Sequence, residues 1–307
     1  MPIDERYRRQ VSLLIRILPL VAEERDFALK GGTAINLFHR DLPRLSVDID
    51  LTYLPLHDRP EALAGIDAGM RRIEARILAD IPGARVARAE AEGAVRRLTV
   101  TATGARVKVE ISPVLRGVVS EPRDMAVSEA VEDAFGFAET QVVSFEDLYA
   151  GKLLAALDRQ HPRDLFDVRD LLRREGLTDA LREAFIVYLL SHHRPMGEVL
   201  SARPKDISQT FERGFAGMTL EPVTLQDLLD TRREMVAQLV GAMPSAHRTF
   251  LLGFERGEPD WTLIAAPHAR ELPAVRWRVR NLETLSVEQR EALVGELAKL
   301  LADQRSE

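Results

Sequence analysis

The chain has 307 residues, 46% of them hydrophobic and 29% charged, with no cysteine and a formal net charge of −6. At about 150 residues per domain this length predicts two domains or one large one, and the mixture excludes a fibrous or largely disordered chain. The missing cysteines exclude disulfides, thiolate zinc sites and cysteine nucleophiles, and the acidic balance excludes nucleic-acid binding through overall charge.

Residues 5–24 carry Tyr7, Val11, Leu14, Ile15, Leu18 and Val21 at the spacing of an amphipathic helix. A short apolar run, Phe27 to Leu29, meets Gly31 and Gly32 and continues as TAINLF, which predicts strand, tight turn and helix start. VDIDLTYL alternates apolar and polar side chains and reads as a strand with one wet or functional face. GMRRIEARILAD predicts a helix, and RRLTVTAT, Gly104 and ARVKVEIS predict a hairpin around a Thr-Gly turn. From Ser144 the pattern turns helical, with Ser144 and Asp147 as a capping box before LYAGKLLAALD. The expected boundary divides residues 1–140, a small mixed sheet with flanking helices, from residues 141–307, mainly helical. No run of about 18 apolar residues occurs, and the opening MPIDERYRRQ lacks an apolar signal core, so a soluble cytoplasmic protein is expected.

Side chains two apart on a strand share a face, which puts Asp48 and Asp50 together and Val47, Ile49 and Leu51 on the other side. Such a carboxylate pair either sits on a solvated edge strand or, being self-repelling, holds a hard cation such as Mg²⁺ or Mn²⁺. Lys108 and Glu110 share a face of VKVEIS; they form either a surface pair or, if the two strands are neighbours, bring Glu110 to the same cation. Gly31 and Gly32, between strand and helix, leave backbone N–H groups open to a phosphate, while Thr33 either caps the helix or adds a hydroxyl to that anion. Basic clusters stand at Arg71, Arg72 and Arg76, at Arg85 and Arg88, at Arg96 and Arg97, at Arg173 and Arg174, and at Arg276, Arg278 and Arg280 around Trp277. Each reads as a solvated face or as a local phosphate contact.

The segment LKGGTAINLFHRDLPRLSVDIDL resembles the first motif of the AbiEii/AbiGii nucleotidyltransferase toxin family. Lys30, Gly31, Gly32 and Thr33 match its phosphate-side turn, Arg44, Ser46, Asp48 and Asp50 its Arg-x-Ser-x-Asp-x-Asp run, and Glu110 falls where a third carboxylate is expected. DLYAGK from Asp147 to Lys152 and RDLFD from Arg163 to Asp167 extend the resemblance, as do FERGEPDW and LPAVRWRVRNL further on. From the residues alone, Lys152 is equally a snorkelling surface lysine, and Arg163 with Asp167 an intrahelical ion pair. The resemblance implies an α+β, polymerase-β-like nucleotidyltransferase fold whose helical second domain closes over the nucleotide. It implies Asp48, Asp50 and Glu110 as ligands of Mg²⁺ or Mn²⁺. Lys30, Gly31, Gly32, Thr33, Arg44, Ser46 and Lys152 would bind the nucleoside triphosphate, and Asp167 would be the base. The implied activity is a toxin that transfers a nucleoside monophosphate, from GTP or a pyrimidine nucleotide, to the 3′ end of tRNA and stops translation, beside an antitoxin partner. Transfer to a small molecule or a protein hydroxyl, and a non-catalytic nucleotide-binding module, remain open.

Overall fold

The computed structural model describes residues 5–303. The chain divides into two compact units: one runs to Ser144 and takes back the short segment Gly217–Glu221, and the other comprises Phe145–Ala216 and the chain from Pro222 onward.

The first unit is built on α1 (Glu5–Ala22), β1 (Phe27–Lys30), α2 (Gly31–Ala34), β2 (Asp48–Tyr53), α3 (Arg59–Asp80), β3 (Arg85–Ala91), β4 (Ala94–Ala102), β5 (Ala105–Arg116), β6 (Arg123–Ala126), α4 (Glu129–Phe135) and β7 (Glu139–Val142). The strands form one mixed sheet in the order β3-β4-β5-β2-β1-β7-β6. β2 pairs parallel with β5 and antiparallel with β1, and β4 pairs antiparallel with β3 and β5. The Thr103–Gly104 connection has positive φ at both residues, the geometry whose twist matches the flanking strands, and Glu92–Gly93 repeats it between β3 and β4. α1 and α3 cover one face of the sheet. There Val11, Leu14, Leu18, Ile66, Met70, Ile73 and Ile77 meet Ile49, Leu51, Leu98, Val100, Val107 and Val109, all buried. Period-2 alternation therefore sends the polar residues of β2, β4 and β5 to the opposite face. α3 begins ten residues earlier than GMRRIEARILAD suggests: Asp58 accepts a hydrogen bond from the Glu61 N–H, with Pro60 in the first turn, an effective helix start.

The second unit consists of α5 (Phe145–Asp158), α6 (Pro162–Arg174), α7 (Asp179–Leu190), α8 (Met196–Ser201), α9 (Ser208–Gly214), α10 (Leu225–Val236), α11 (Ser245–Arg256), α12 (Pro273–Glu283) and α13 (Val287–Asp303). α5 is buried nearly all round, packing on α6 and α7, and the core is filled by Tyr149, Phe166, Phe185, Phe250 and Phe254. α6 opens under His161, whose Nδ1 accepts from the Arg163 N–H at 3.1 Å. The mixed sheet with its helices, followed by a mainly helical unit, is the α+β architecture the sequence resemblance implies.

Candidate active site

β1 ends at Lys30 and the chain turns at once into α2, which continues as a π-helical turn, Ile35–His39. Gly31 adopts φ +78, and a Cβ there would stand 2.6 Å from Asp50 Oδ2; one on Gly32 would stand 2.6 Å from Arg44 Nη2 and 2.8 Å from Ser46 Oγ. At Gly31 the positive φ and the Asp50 carboxylate exclude a side chain, and at Gly32 one would have to displace the ends of Arg44 and Ser46, so the turn lies directly against the carboxylate strand. Thr33 does not cap the helix. The N-cap position belongs to Lys30, and the fully buried Thr33 donates its hydroxyl to the Asp48 carbonyl at 2.6 Å while approaching Ser46 Oγ at 3.3 Å. Thr33 thereby ties the start of β2 to the turn. Asn36, unmarked in the sequence reading, holds the rest: its Nδ2 donates to Gly32 O at 2.6 Å and its Oδ1 accepts from the Arg44 N–H at 3.2 Å. Arg44 is buried and donates to Leu45 O at 3.0 Å. The Ser46 N–H reaches the Tyr7 hydroxyl at 3.3 Å. Burial raises the pKa of that hydroxyl, against the Ser46 hydrogen bond and Arg44, so it stays neutral.

On the polar face of the sheet, Asp48 registers with Lys108, Asp50 with Glu110 and with Lys30, and Glu110 with Arg97. The three predicted carboxylates thus share one face on adjacent strands. Lys108 and Glu110 do not make the same-strand surface pair considered above: Lys108 Nζ stands 3.9 Å from Asp48 and Arg97 Nε 2.6 Å from Glu110. Burial lowers the pKa of Lys30, and Asp50 opposes the shift. Each carboxylate is therefore matched by a cation from a neighbouring strand. A cavity of about 340 Å³ lies over this face, lined by Lys30, Asp50, Glu110, Arg97, Arg96 and Glu90.

In the second unit, Lys152 does not snorkel. Its Nζ is buried between Asp164 Oδ1 at 3.0 Å and Asp167 Oδ2 at 3.1 Å, and Arg159 donates to both oxygens of Asp164 at 2.5 and 2.9 Å. Burial alone would raise the pKa of Asp164, but Lys152 and Arg159 outweigh it and hold the carboxyl well below its ordinary range. Asp147, also buried, accepts from the Tyr188 hydroxyl at 3.2 Å, and burial together with that carboxylate pushes the pKa of Tyr188 far up.

Compared with known protein families, residues 12–281 match the AbiEii nucleotidyl transferase toxin of type IV toxin-antitoxin systems. The chain belongs to the AbiEii family. It is a nucleotidyltransferase toxin by that membership, and the family uses a nucleoside triphosphate, a divalent metal ion and an antitoxin partner. Among solved structures the chain is similar to MenT4, a nucleotidyltransferase toxin from Mycobacterium tuberculosis, with 19% identity, a TM-score of 0.45 and coverage of 98% of this chain and 95% of that one. No curated protein sequence matches it significantly.

For an AbiEii chain, the question is whether these residues fit a divalent ion. Among the described residues no three His, Asp or Glu side chains are gathered into a ready cage. Mg²⁺ does not need one: it is held by one or two carboxylates, with substrate phosphates and water completing its shell. Asp48 and Asp50, hard oxygen donors on one face beside the Gly31 turn, fit that demand, with Glu110 registered next to Asp50. Most of the predicted basic clusters of the first unit are already spent on carboxylates. Arg71 pairs with Asp67 and Glu90, Arg72 and Arg76 with the buried Glu24, and Arg88 with Glu74. On α12, Arg278 donates to the carbonyls of His192 and Arg194, each at 2.9 Å, while Arg276, Trp277 and Arg280 are exposed. No helix among the described residues is long and apolar enough to cross a membrane.

Proposed function

We propose that this chain transfers a nucleoside monophosphate from a nucleoside triphosphate to the 3′ end of tRNA, with Mg²⁺ or Mn²⁺, and so arrests translation in the cytoplasm until its antitoxin intervenes. The observation that carries this reading is the row Asp48, Asp50 and Glu110 on one sheet face, with the turn at Gly31 so close that a Cβ there would stand 2.6 Å from Asp50 Oδ2. In phosphoryl-type transfer the protein supplies positioning and charge stabilisation more than covalent chemistry, and this row with its turn offers both.

The backbone N–H groups of Gly31 and Gly32 receive the phosphates, with the Ser46 hydroxyl and the Lys30 ammonium beside them. Thr33 keeps Asp48 at the turn, and the buried Arg44 supports Gly32 from behind. Asp48 and Asp50, joined by Glu110, hold the divalent ion, which would neutralise phosphate charge and polarise the α-phosphorus. By resemblance Lys152 would meet triphosphate charge and Asp167 the acceptor proton, but the two are buried and ion-paired to each other within the second unit. Neither therefore carries a step, and the acceptor proton leaves to water. The hydroxyl oxygen bonds to the α-phosphorus, the bond to the bridging oxygen breaks, and pyrophosphate leaves.

The test is incubation of the protein with Mg²⁺ and each labelled nucleoside triphosphate in turn, with total tRNA, with small hydroxylated compounds, or with no acceptor. Label on tRNA is the expected result. Label confined to a small compound moves the acceptor to that class, and tight nucleotide binding without transfer to anything overturns catalysis.

A further inference from the structure

β4 contains an irregularity with a consequence for the cavity over the sheet. Its pairing with β3 runs Ala89↔Arg97 and then Glu90↔Val95, which leaves Arg96 as an extra residue. Val95 and Leu98 both face the core with no exposed surface although they are three apart, which only a bulge permits. The bulge sends two successive arginines to the polar face. Arg97 is exposed and committed to Glu110, 2.6 Å away. Arg96 is not committed in that way. Only 14% of its side chain is exposed, Nε and Nη2 are sealed from solvent, and among the described residues neither nitrogen has a hydrogen-bond partner. Glu92 forms an ion pair with Nη2 at 3.5 Å, without a hydrogen bond. Burial lowers the pKa of the Arg96 guanidinium, Glu92 opposes the shift and Arg59 adds to it. A guanidinium that lines the cavity with two donors not hydrogen-bonded gains from an anion in the cavity once the side chain turns those donors toward it, since buried charged donors without hydrogen bonds carry a desolvation cost.

Its place in the sheet says which anion. The reading of the site given above, on which this step rests, puts the donor phosphates at the turn after β1 and the reacting phosphorus beside β2. Attacking and leaving oxygens stand in line across that phosphorus. If pyrophosphate departs toward the turn, the acceptor approaches from the other side, over β5 and β4. Arg96 lies on that side, two strand spacings or about 10 Å from β2. We propose that Arg96 binds a backbone phosphate of the nucleic-acid acceptor next to its attacking hydroxyl. An acidic protein has few ways to hold RNA, and one desolvated arginine placed at the reacting end supplies orientation that overall charge does not.

Binding of total tRNA to the full chain, measured without nucleotide over a range of salt, tests this with the wild type, Arg96→Gln and Arg96→Lys, alongside nucleotide affinity and melting temperature. The expected result is a loss of about 10- to 100-fold in tRNA affinity for Arg96→Gln, the worth of one charged hydrogen-bonding contact. The slope of log affinity against log salt should flatten by about one, with Arg96→Lys keeping most of the slope. Nucleotide affinity should be unchanged and the melting temperature nearly so, because the ion pair lost, to the half-exposed Glu92 at 3.5 Å, is of the kind that contributes little to stability. Equal tRNA affinity and slope in wild type and Arg96→Gln overturns the inference and leaves the tRNA reading standing. A loss of nucleotide affinity instead also overturns it, by assigning Arg96 to the donor. A wild type that neither binds nor labels tRNA removes the acceptor reading itself, and the inference with it.

Discussion

On the sheet, Asp48 and Glu110 keep 44% and 31% of their side-chain surface in solvent; in the helical unit, Asp164 and Asp167 keep 1% each. The first group meets its cations in solvent, Asp48 with Lys108 only at 3.9 Å and Glu110 with the half-exposed Arg97 at 2.6 Å, and the second is locked in buried ion pairs near 3 Å. Half-exposed pairs contribute about 0 to 1 kcal/mol and exchange partners readily. A buried pair that loses one member costs about 3 to 5 kcal/mol, because the other charge is left uncompensated. The sheet carboxylates can therefore release their lysine and arginine neighbours to an incoming ion and triphosphate, whereas the Lys152 cluster is part of what holds its unit together. Substitutions in the two regions should separate activity from stability.

The sharpest separation is expected from Asp48→Asn. Nucleotidyl transfer should fall by about a thousandfold or more, since a metal ligand serves several kcal/mol of charge stabilisation and each 1.4 kcal/mol is a factor of ten. The melting temperature should stay close to wild type, because a half-exposed side chain changes stability by only about 0.5 kcal/mol. Transfer of label and thermal denaturation on the same preparation check both halves. Undiminished transfer would remove Asp48 from the ion site. Lys152→Met should lose activity and stability together, by about 3 to 5 kcal/mol, a melting temperature lower by roughly 10 °C. A Lys152→Met protein as stable as wild type would mean that the buried carboxylates do not depend on the amine.

Gly31→Ala should fall between these two. The residue sits at φ +78, and a Cβ would meet Asp50 Oδ2 at 2.6 Å, so the turn must move or the carboxylate must swing away. A strained backbone position of this kind costs about 1 to 3 kcal/mol. Because Asp50 is the group displaced, transfer should drop further than the loss of stability accounts for. Measured turnover at a temperature where the variant is fully folded isolates that part.

The sheet face was readable in advance because period 2 is strict: it placed Asp48 with Asp50 and Lys108 with Glu110 from spacing alone, and Thr-Gly marked the β4–β5 hairpin. What spacing does not carry is which strands become neighbours, and the parallel register Asp50↔Glu110 is a property of the assembled sheet. Arg96 was unreadable as a cavity residue for a related reason, since alternation puts Arg96 and Arg97 on opposite faces until a bulge breaks it. β3 went unseen because Arg85–Ala91 is an exposed edge strand with no buried face to impose a pattern. Asn36 stayed unmarked because its role depends on a π-helical turn that shifts the helical period. In the helical unit, the pairing of Lys152 with Asp164 as well as Asp167 required α5 and α6 to pack, which no single-helix periodicity encodes.

The smallest effect is expected at the rim of the buried cluster. Arg159 is 63% exposed in its side chain, so Arg159→Gln should cost less than about 1 kcal/mol at neutral pH, where solvent screens much of its attraction for Asp164. Its signature lies in acid. The folded-state pKa of Asp164 is held below the unfolded value near 3.8 against the opposing effect of burial, chiefly by Lys152 and then by Arg159. Stability from this group is therefore complete above the unfolded pKa and drains as pH falls toward the folded value, by at most about 1.4 kcal/mol per pH unit for the single proton involved. Without Arg159 the folded pKa rises toward the unfolded one, so the protonation-linked stability available at neutral pH shrinks. Asp164→Asn should abolish this one-proton contribution altogether, and chemical denaturation at successive pH values between about 5 and 2 measures it. An acid limb of unchanged slope in Asp164→Asn would show that the Lys152 cluster does not couple folding to acid, and the contrast with the sheet carboxylates would then rest on geometry alone.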